Sequence, residues 1–221
     1  MFQLCDSNFP TGAFSHSFGL ESYIQEETVY NPDTFTQWLH IYVNEQLIYS
    51  DGLASHLVFQ ALEEGDIHRV WKLDRLLTVQ NLPRETREGT QRMGESMLNL
   101  VSALYDTTIL AAYRTRILAK QSMGHPAIVF TMIAQHLEVP RFTTVLYYLY
   151  SVVSSLVQNA VRAIPLGQTA GQRILHDIQP VLIRATEKIM QMDEGDFGIV
   201  SPGLELSQMM HERIHVRIFM S

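Results

Sequence analysis

Cysteine is nearly absent from this chain: Cys5 is the only one in 221 residues. An internal disulfide is therefore excluded, and a reducing compartment is expected. Beside Leu4, Cys5 reads as a small packed side chain rather than a nucleophile. Positive charge is short as well, with 16 Lys and Arg against 23 Asp and Glu and a formal net charge of −7. No basic run could neutralise a row of phosphates, which argues against nucleic acid as a partner. Long apolar runs are missing too. The most apolar window, 145–157, carries three tyrosines and three serines and is too short to span a bilayer. The first residues, MFQLCDSNFP, lack the basic start and apolar run of a signal peptide. The expectation is a cytoplasmic protein with no membrane partner.

Catalytic and nucleotide motifs are absent in the same way. The chain has no P-loop and no G-x-G-x-x-G, so the usual nucleotide cradles are excluded. It has no G-x-S-x-G elbow and no C-x-x-C. Ser15-His16-Ser17 sets serine beside histidine, but adjacency along a chain does not make triad geometry. Sustained period-two alternation, internal repeats and low-complexity tracts are also lacking, which leaves little room for a sheet.

What is present is helical. Apolar residues at 18, 20, 23 and 24 predict a short helix over 17–28, capped by Ser15 or Ser17. Asp33 is a plausible cap for 35–62, with Asp51-Gly52 expected to divide that run into two helices. Asp66 can cap 67–80, and Pro83 leads 84–105. Further helices are expected over 107–121 and 127–137. Pro140 should open a long buried helix. Residues 192–203, rich in acid, glycine and proline, read as a loop before a last helix at 204–217. The fold class is all-α, a single domain over 1–221 of about ten helices.

The stretch 159–172, NAVRAIPLGQTAGQ, organises the rest. One long helix ends there, Pro165 and Gly167 break it, and another begins. Arg162, Gln168 and Gln172 flank the break, either satisfying loose backbone ends or forming a contact surface for another macromolecule.

Four polar groupings remain. His211-Glu212-Arg213-Ile214-His215 matches the H-E-x-x-H pattern of zinc proteases, which needs both histidines on one helix face and a third ligand. None of the six residues after His215 is a histidine or carboxylate, so a metal-dependent hydrolase using His211, Glu212 and His215 is the minor alternative. Weak metal capture by His211 and His215 is more plausible than catalysis. Glu85, Arg87, Glu88 and Arg92 have the spacing of a solvated intrahelical charge ladder. Residues 6–21, with Asp6, His16 and Glu21, are more polar than a loose start requires. The tail sets Leu204, Leu206, Met209 and Met210 among charges, a pattern that suits docking of a helix on a partner. A small-molecule site in a helical pocket has no signature in the sequence.

Five blocks carry a family resemblance: LCDSNFPTGAFSHSFGLE at 4–21, ETREGTQRMG at 85–94, GHPAIVF at 124–130, NAVRAIPLGQTAGQ at 159–172 and PGLELSQMMHERIHVRIFMS at 202–221. In this order they resemble the urease accessory protein F family, UreF. The resemblance implies an all-α, homodimeric assembly factor without enzymatic activity. Its partners would be a second accessory protein, UreD (also UreH), the GTPase UreG and apo-urease, to which nickel is delivered with control of GTP hydrolysis. No cofactor would be held tightly; nickel would pass through the complex. Arg162, Gln168 and Gln172 would then lie near the GTPase or the dimer seam. The tail at 202–221, with Leu204, Glu205, Met209, His211, Glu212 and Arg217, would dock on UreD. Asp6, His16 and Glu21 would border a polar channel.

Overall fold

Prolines and short polar side chains punctuate this chain, and most helices begin where they stand. A computed structural model describes residues 1–199 and 201–221; Val200, within the expected loop, lies outside the described residues. The single turn α1 (Phe2–Cys5) is followed by α2 (Leu20–Gln25). The helix expected over 17–28 is this short because Phe18 and Glu27 adopt φ of 53° and 56°, left-handed backbone that no α-helix contains. Asn31, rather than Asp33, caps α3 (Pro32–Ile41). Its side chain accepts from the Thr34 N–H while Thr34 Oγ1 accepts from the Asn31 N–H, and Pro32 fills a position whose missing N–H costs nothing.

Asp51-Gly52 does not divide the next run. A π-helix over Tyr42–Gly52 joins α3 to α4 (Leu53–Glu63) without interruption. Gly52 serves packing: a Cβ there would sit 2.7 Å from Ile189 Cδ1 and 3.1 Å from Leu149 Cδ2, so only glycine lets two other helices come this close.

Asp66 caps α5 (Ile67–Val79) by accepting from the Arg69 N–H, as expected. Pro83 precedes α6 (Arg84–Leu104), and Thr107 caps α7 (Thr108–Leu118). His125 caps α8 (Pro126–His136) through Nδ1, which accepts from the Ala127 N–H. Then follow α9 (Arg141–Ala163), α10 (Gln168–Ile189) and α11 (Pro202–Met210). With α3 and α4 joined, the described residues form ten separate α-helical bodies, short 3₁₀ turns such as Ala13–Ser15 and Glu194–Asp196, and no strand. The all-α expectation of about ten helices holds.

The core sits elsewhere than the longest apolar stretch indicates. Every residue of α8 from Pro126 to Ala134 is buried, with α4, α6, α7 and α9 packed around it. Each large side chain so buried contributes about 1.5–3 kcal/mol of transfer free energy. α9 instead buries one face, because Tyr147, Tyr150, Ser151 and Ser155 point to its half-exposed side. It packs along α10 after the Pro165–Gly167 break, under which Ile164 and Leu166 are buried.

One buried polar cluster links α5, α7 and the start of α8. Asp74, fully buried, accepts from Tyr113 Oη (2.6 Å) and the Met123 N–H (2.7 Å), and Tyr113 Oη accepts in turn from the His125 N–H (3.1 Å). Burial raises the Asp74 carboxyl above its ordinary range despite these donors. Cys5 is packed as expected: burial pushes its thiol up to about 11, out of nucleophilic range.

Candidate functional site

The chain's two ends meet over the start of α6. Helix α11 stops at Met210; His211–Arg213 is a tighter 3₁₀ turn, and Ile214 is extended. Residues 214–221 therefore do not continue the expected helix over 204–217. They run beside Ser15–Ser17 and make two backbone hydrogen bonds, Met220 N–H to Ser15 O (2.8 Å) and Ser17 N–H to Ser221 O (2.5 Å).

Glu21 anchors this segment. Its carboxylate is 1% exposed and accepts from the Ile218 N–H (2.5 Å) and the Phe219 N–H (3.1 Å). The extended course of the tail frees those two amides, and the buried carboxylate satisfies them. Glu21 also faces His211 Nε2 at 2.9 Å, while Glu85 faces His211 Nδ1 at 2.8 Å. An imidazole placed between two carboxylate oxygens must donate from both nitrogens, so His211 is an imidazolium. Arg217 completes the set, donating to the other Glu85 oxygen (2.8 Å) and to the carbonyls of Ile214 (2.8 Å) and Glu212 (2.7 Å). Two acids and two bases thus balance. The outer pair, Arg84 with Glu212 at 3.1 Å, is open to water and contributes little.

His16 lies against the same face of α6, one turn on from Glu85. Its Nδ1 is 2.7 Å from Ser221 Oγ, and Gly89 gives the ring room: a Cβ at 89 would sit 2.6 Å from His16 Cε1. Glu85 and Gly89 are four residues apart, hence on one helix face. The expected charge ladder on α6 is therefore largely absent. Glu85 turns to the tail, Arg87 donates to the carbonyls of Asn81 and Leu82, and Arg84 with Glu88 is a long 3.9 Å pair.

The end of α9 holds the other side. Asn159 Nδ2 donates to the carbonyls of His16 (2.9 Å) and Ala13 (3.2 Å). Arg162 donates to Phe14 O (2.6 Å), with its guanidinium 5.3 Å from the Phe14 ring and 5.2 Å from the Phe219 ring.

The structure thus brings together His16, Glu21, Arg162, His211, Glu212 and Arg217, which the sequence placed in three separate groupings. Gln168 and Gln172 remain exposed on the first turns of α10. Asp6 is exposed and caps its own turn by accepting from Asn8. Leu204 faces the protein's own core, Glu205 is half-buried, and Met209 is exposed. His215 is exposed on irregular backbone, so the helical face that paired zinc ligands need does not form. His211 has both nitrogens committed to carboxylates, and the described residues hold no group of three metal-capable side chains. Glu85, Asn159, Phe219 and Ser221 were missed. All four lie inside the recognised blocks, and Glu85, an acid in the first turn of a helix, reads in sequence as part of a charge ladder rather than as a partner of the tail.

The UreF family profile matches residues 29–179. A urease accessory protein UreF from Lachnoclostridium phytofermentans is 51% identical over 221 residues, covering 100% of this chain and 97% of the relative. The chain belongs to the UreF family. The family profile spans α3 to most of α10, whereas both partners of the end-to-end contact, 13–21 and 207–221, lie outside it. The whole-chain relative extends the UreF likeness across them. Among the described residues, no helix is long and apolar enough to cross a membrane.

The contact has a defined response to pH. Burial opposes the charge of His211, but its bonds to Glu21 and Glu85 win and hold its pKa above 6.5. Burial likewise opposes the charge of Glu21 and Glu85, and is outweighed by His211, the two tail amides and Arg217, so both lie below 4.5. Burial, with Arg92 and His211 adding to it, brings His16 down to about 4. A raised base stabilises fully below 6.5 and loses that contribution as pH rises through its folded value. Lowered acids stabilise above 4.5 and lose it as pH falls, and a lowered base weakens the contact as pH falls from 6.5 towards 4. The tail is therefore expected to be held most firmly near the ordinary histidine value, 6.5, and more weakly on both sides. Hydrogen-exchange protection of the Ile218 and Phe219 amides across pH measures this; a monotonic trend would contradict it.

Proposed function

We propose that this protein is a non-enzymatic scaffold in urease maturation, which binds UreD (UreH), recruits the GTPase UreG to apo-urease and so assists GTP-dependent insertion of nickel. The observation that carries the reading is the tail. It is held in one place from within by hydrogen bonds to Glu21 and Glu85 and by Arg162 over the Phe219 ring, while Leu206, Met209, Met210, Val216, Ile218 and Met220 stand exposed along it. Exposed apolar side chains on a pre-ordered segment bind a partner without the entropy cost of ordering it first. In this reading UreD covers that surface, with Glu205 and Glu212 at its rim. Arg162, Gln168 and Gln172 lie towards the GTPase or the homodimer seam, and Arg162 couples the two regions through its stacking on Phe219. Nickel is cargo rather than a resident cofactor, GTP hydrolysis is regulated in the partner, and the assembly works in the cytoplasm.

Co-expression with UreD and UreG from the same source tests this, with light scattering of the tagged eluate. A defined complex of all three is expected, and truncation before Leu204 should dissolve it. Elution of the full chain alone beside soluble partners would overturn the reading. Full recruitment of UreG by Arg162→Ala would remove the role given to that residue.

A further inference from the structure

The π-helix of Tyr42–Gly52 widens the turn beside a cavity of about 90 Å³ between α6, α8, α9 and the N-terminal loop. Runs of π-helix are rare and collect at functional sites. At about 10–15 Å³ of such space per water, the cavity holds several waters or one small organic molecule. Asp51 lines it near the end of the π-helix. Its Oδ1 accepts from Tyr148 Oη (3.0 Å) and its Oδ2 from Ser50 Oγ (3.0 Å). A carboxylate offers about four acceptor positions, so half of its capacity remains open. Gln46, one turn earlier, also lines the cavity, and its Oε1 is buried with no hydrogen-bond partner. Among the described residues no lysine or arginine lines the cavity, so Asp51 has no full positive charge against it. His125 does not supply one. Its Nδ1 accepts the Ala127 N–H, which places the ring's single proton on Nε2, 3.6 Å from Asp51 Oδ1.

We propose that this cavity binds a small organic cation of the alkylammonium class. The ammonium donates to the open positions of Asp51 and to Gln46 Oε1, with the buried rings of Tyr42 and Tyr148 as its walls. Those groups meet what an N–H-bearing cation requires: a carboxylate without a counterion, an unpaired carbonyl oxygen and aromatic faces. A metal ion fits less well, because the His125 lone pair is already taken by the Ala127 amide and no three-ligand group is present among the described residues. Asp51 and Gln46 take no part in the hydrogen bonds of the tail, so this site stands or falls apart from the scaffold role.

The test is calorimetric titration of the full chain with methylammonium chloride, against sodium chloride at equal ionic strength and neutral acetamide of similar size. Saturable binding of methylammonium alone is expected, weakened at least about tenfold by Asp51→Asn and by Gln46→Leu, as loss of a charge-assisted hydrogen bond implies. Circular dichroism checks the fold of each variant, and Gln46→Leu decides the matter if Asp51→Asn does not fold. Heat no greater than that of sodium chloride, equal binding of acetamide, or unchanged affinity in the folded variants would each overturn the proposal.

Discussion

Replacing Glu21 with alanine is expected to release the C-terminal segment while α3 to α10 stay folded. One carboxylate holds three donors there, the Ile218 and Phe219 amides and His211 Nε2. Breaking a buried charge pair from one side costs about 3–5 kcal/mol, mostly because the remaining partner is left uncompensated. The tail has an escape that a core element lacks: it can undock and return its amides to water. The loss should therefore appear locally, as collapse of hydrogen-exchange protection at 218 and 219 and rapid trimming of the tail by protease. Glu21→Gln keeps an acceptor and should release the tail less. Wild-type protection of both amides in the alanine variant would show that the backbone pairing with Ser15–Ser17 holds the segment alone. On the proposed scaffold role, the same variant should bind UreD more weakly than wild type in a co-purification, because the partner would then have to order the tail itself.

Asp74→Ala should destabilise the whole protein. Asp74 is fully buried and has no route to solvent, so its removal strands the Tyr113 hydroxyl and the Met123 amide in the interior. At about 1–3 kcal/mol for each unsatisfied group, a loss of about 3 kcal/mol or more is expected. For a chain of this length each kcal/mol lowers Tm by about 2–4 °C, so thermal unfolding should fall by about 6–12 °C. Asp74→Asn keeps an acceptor for Tyr113 and should lose less. A shift under about 2 °C in the alanine variant would mean that water or a rearranged backbone satisfies both donors.

The helix starts were legible because they depend on neighbours in sequence. Asp66 and Thr107 accept from N–H groups within one turn of themselves, Pro126 and Pro140 stand at helix starts where a missing N–H costs nothing, and the chain states all four openly. The errors share one cause. Asp51-Gly52 has the composition of a break, yet Gly52 is there for the approach of Leu149 and Ile189, about 100 residues or more away in sequence. Likewise, the helical pattern over 204–217 is genuine as a pattern, but the amides of 218 and 219 find a better acceptor in Glu21 than a continued helix would provide.

By itself the sequence determined the all-α class, most of the helix starts, the packing of Cys5 and the blocks by which the family is recognised. Each follows from local period, from local capping chemistry or from a linear match. Only the tertiary structure decided that the polar start, the first turn of α6, the end of α9 and the tail are one contact. His211 stands 190 residues from Glu21 and 126 from Glu85. Which carboxylate meets a buried imidazole across such separations depends on how the helices pack, and no periodicity along the chain encodes it.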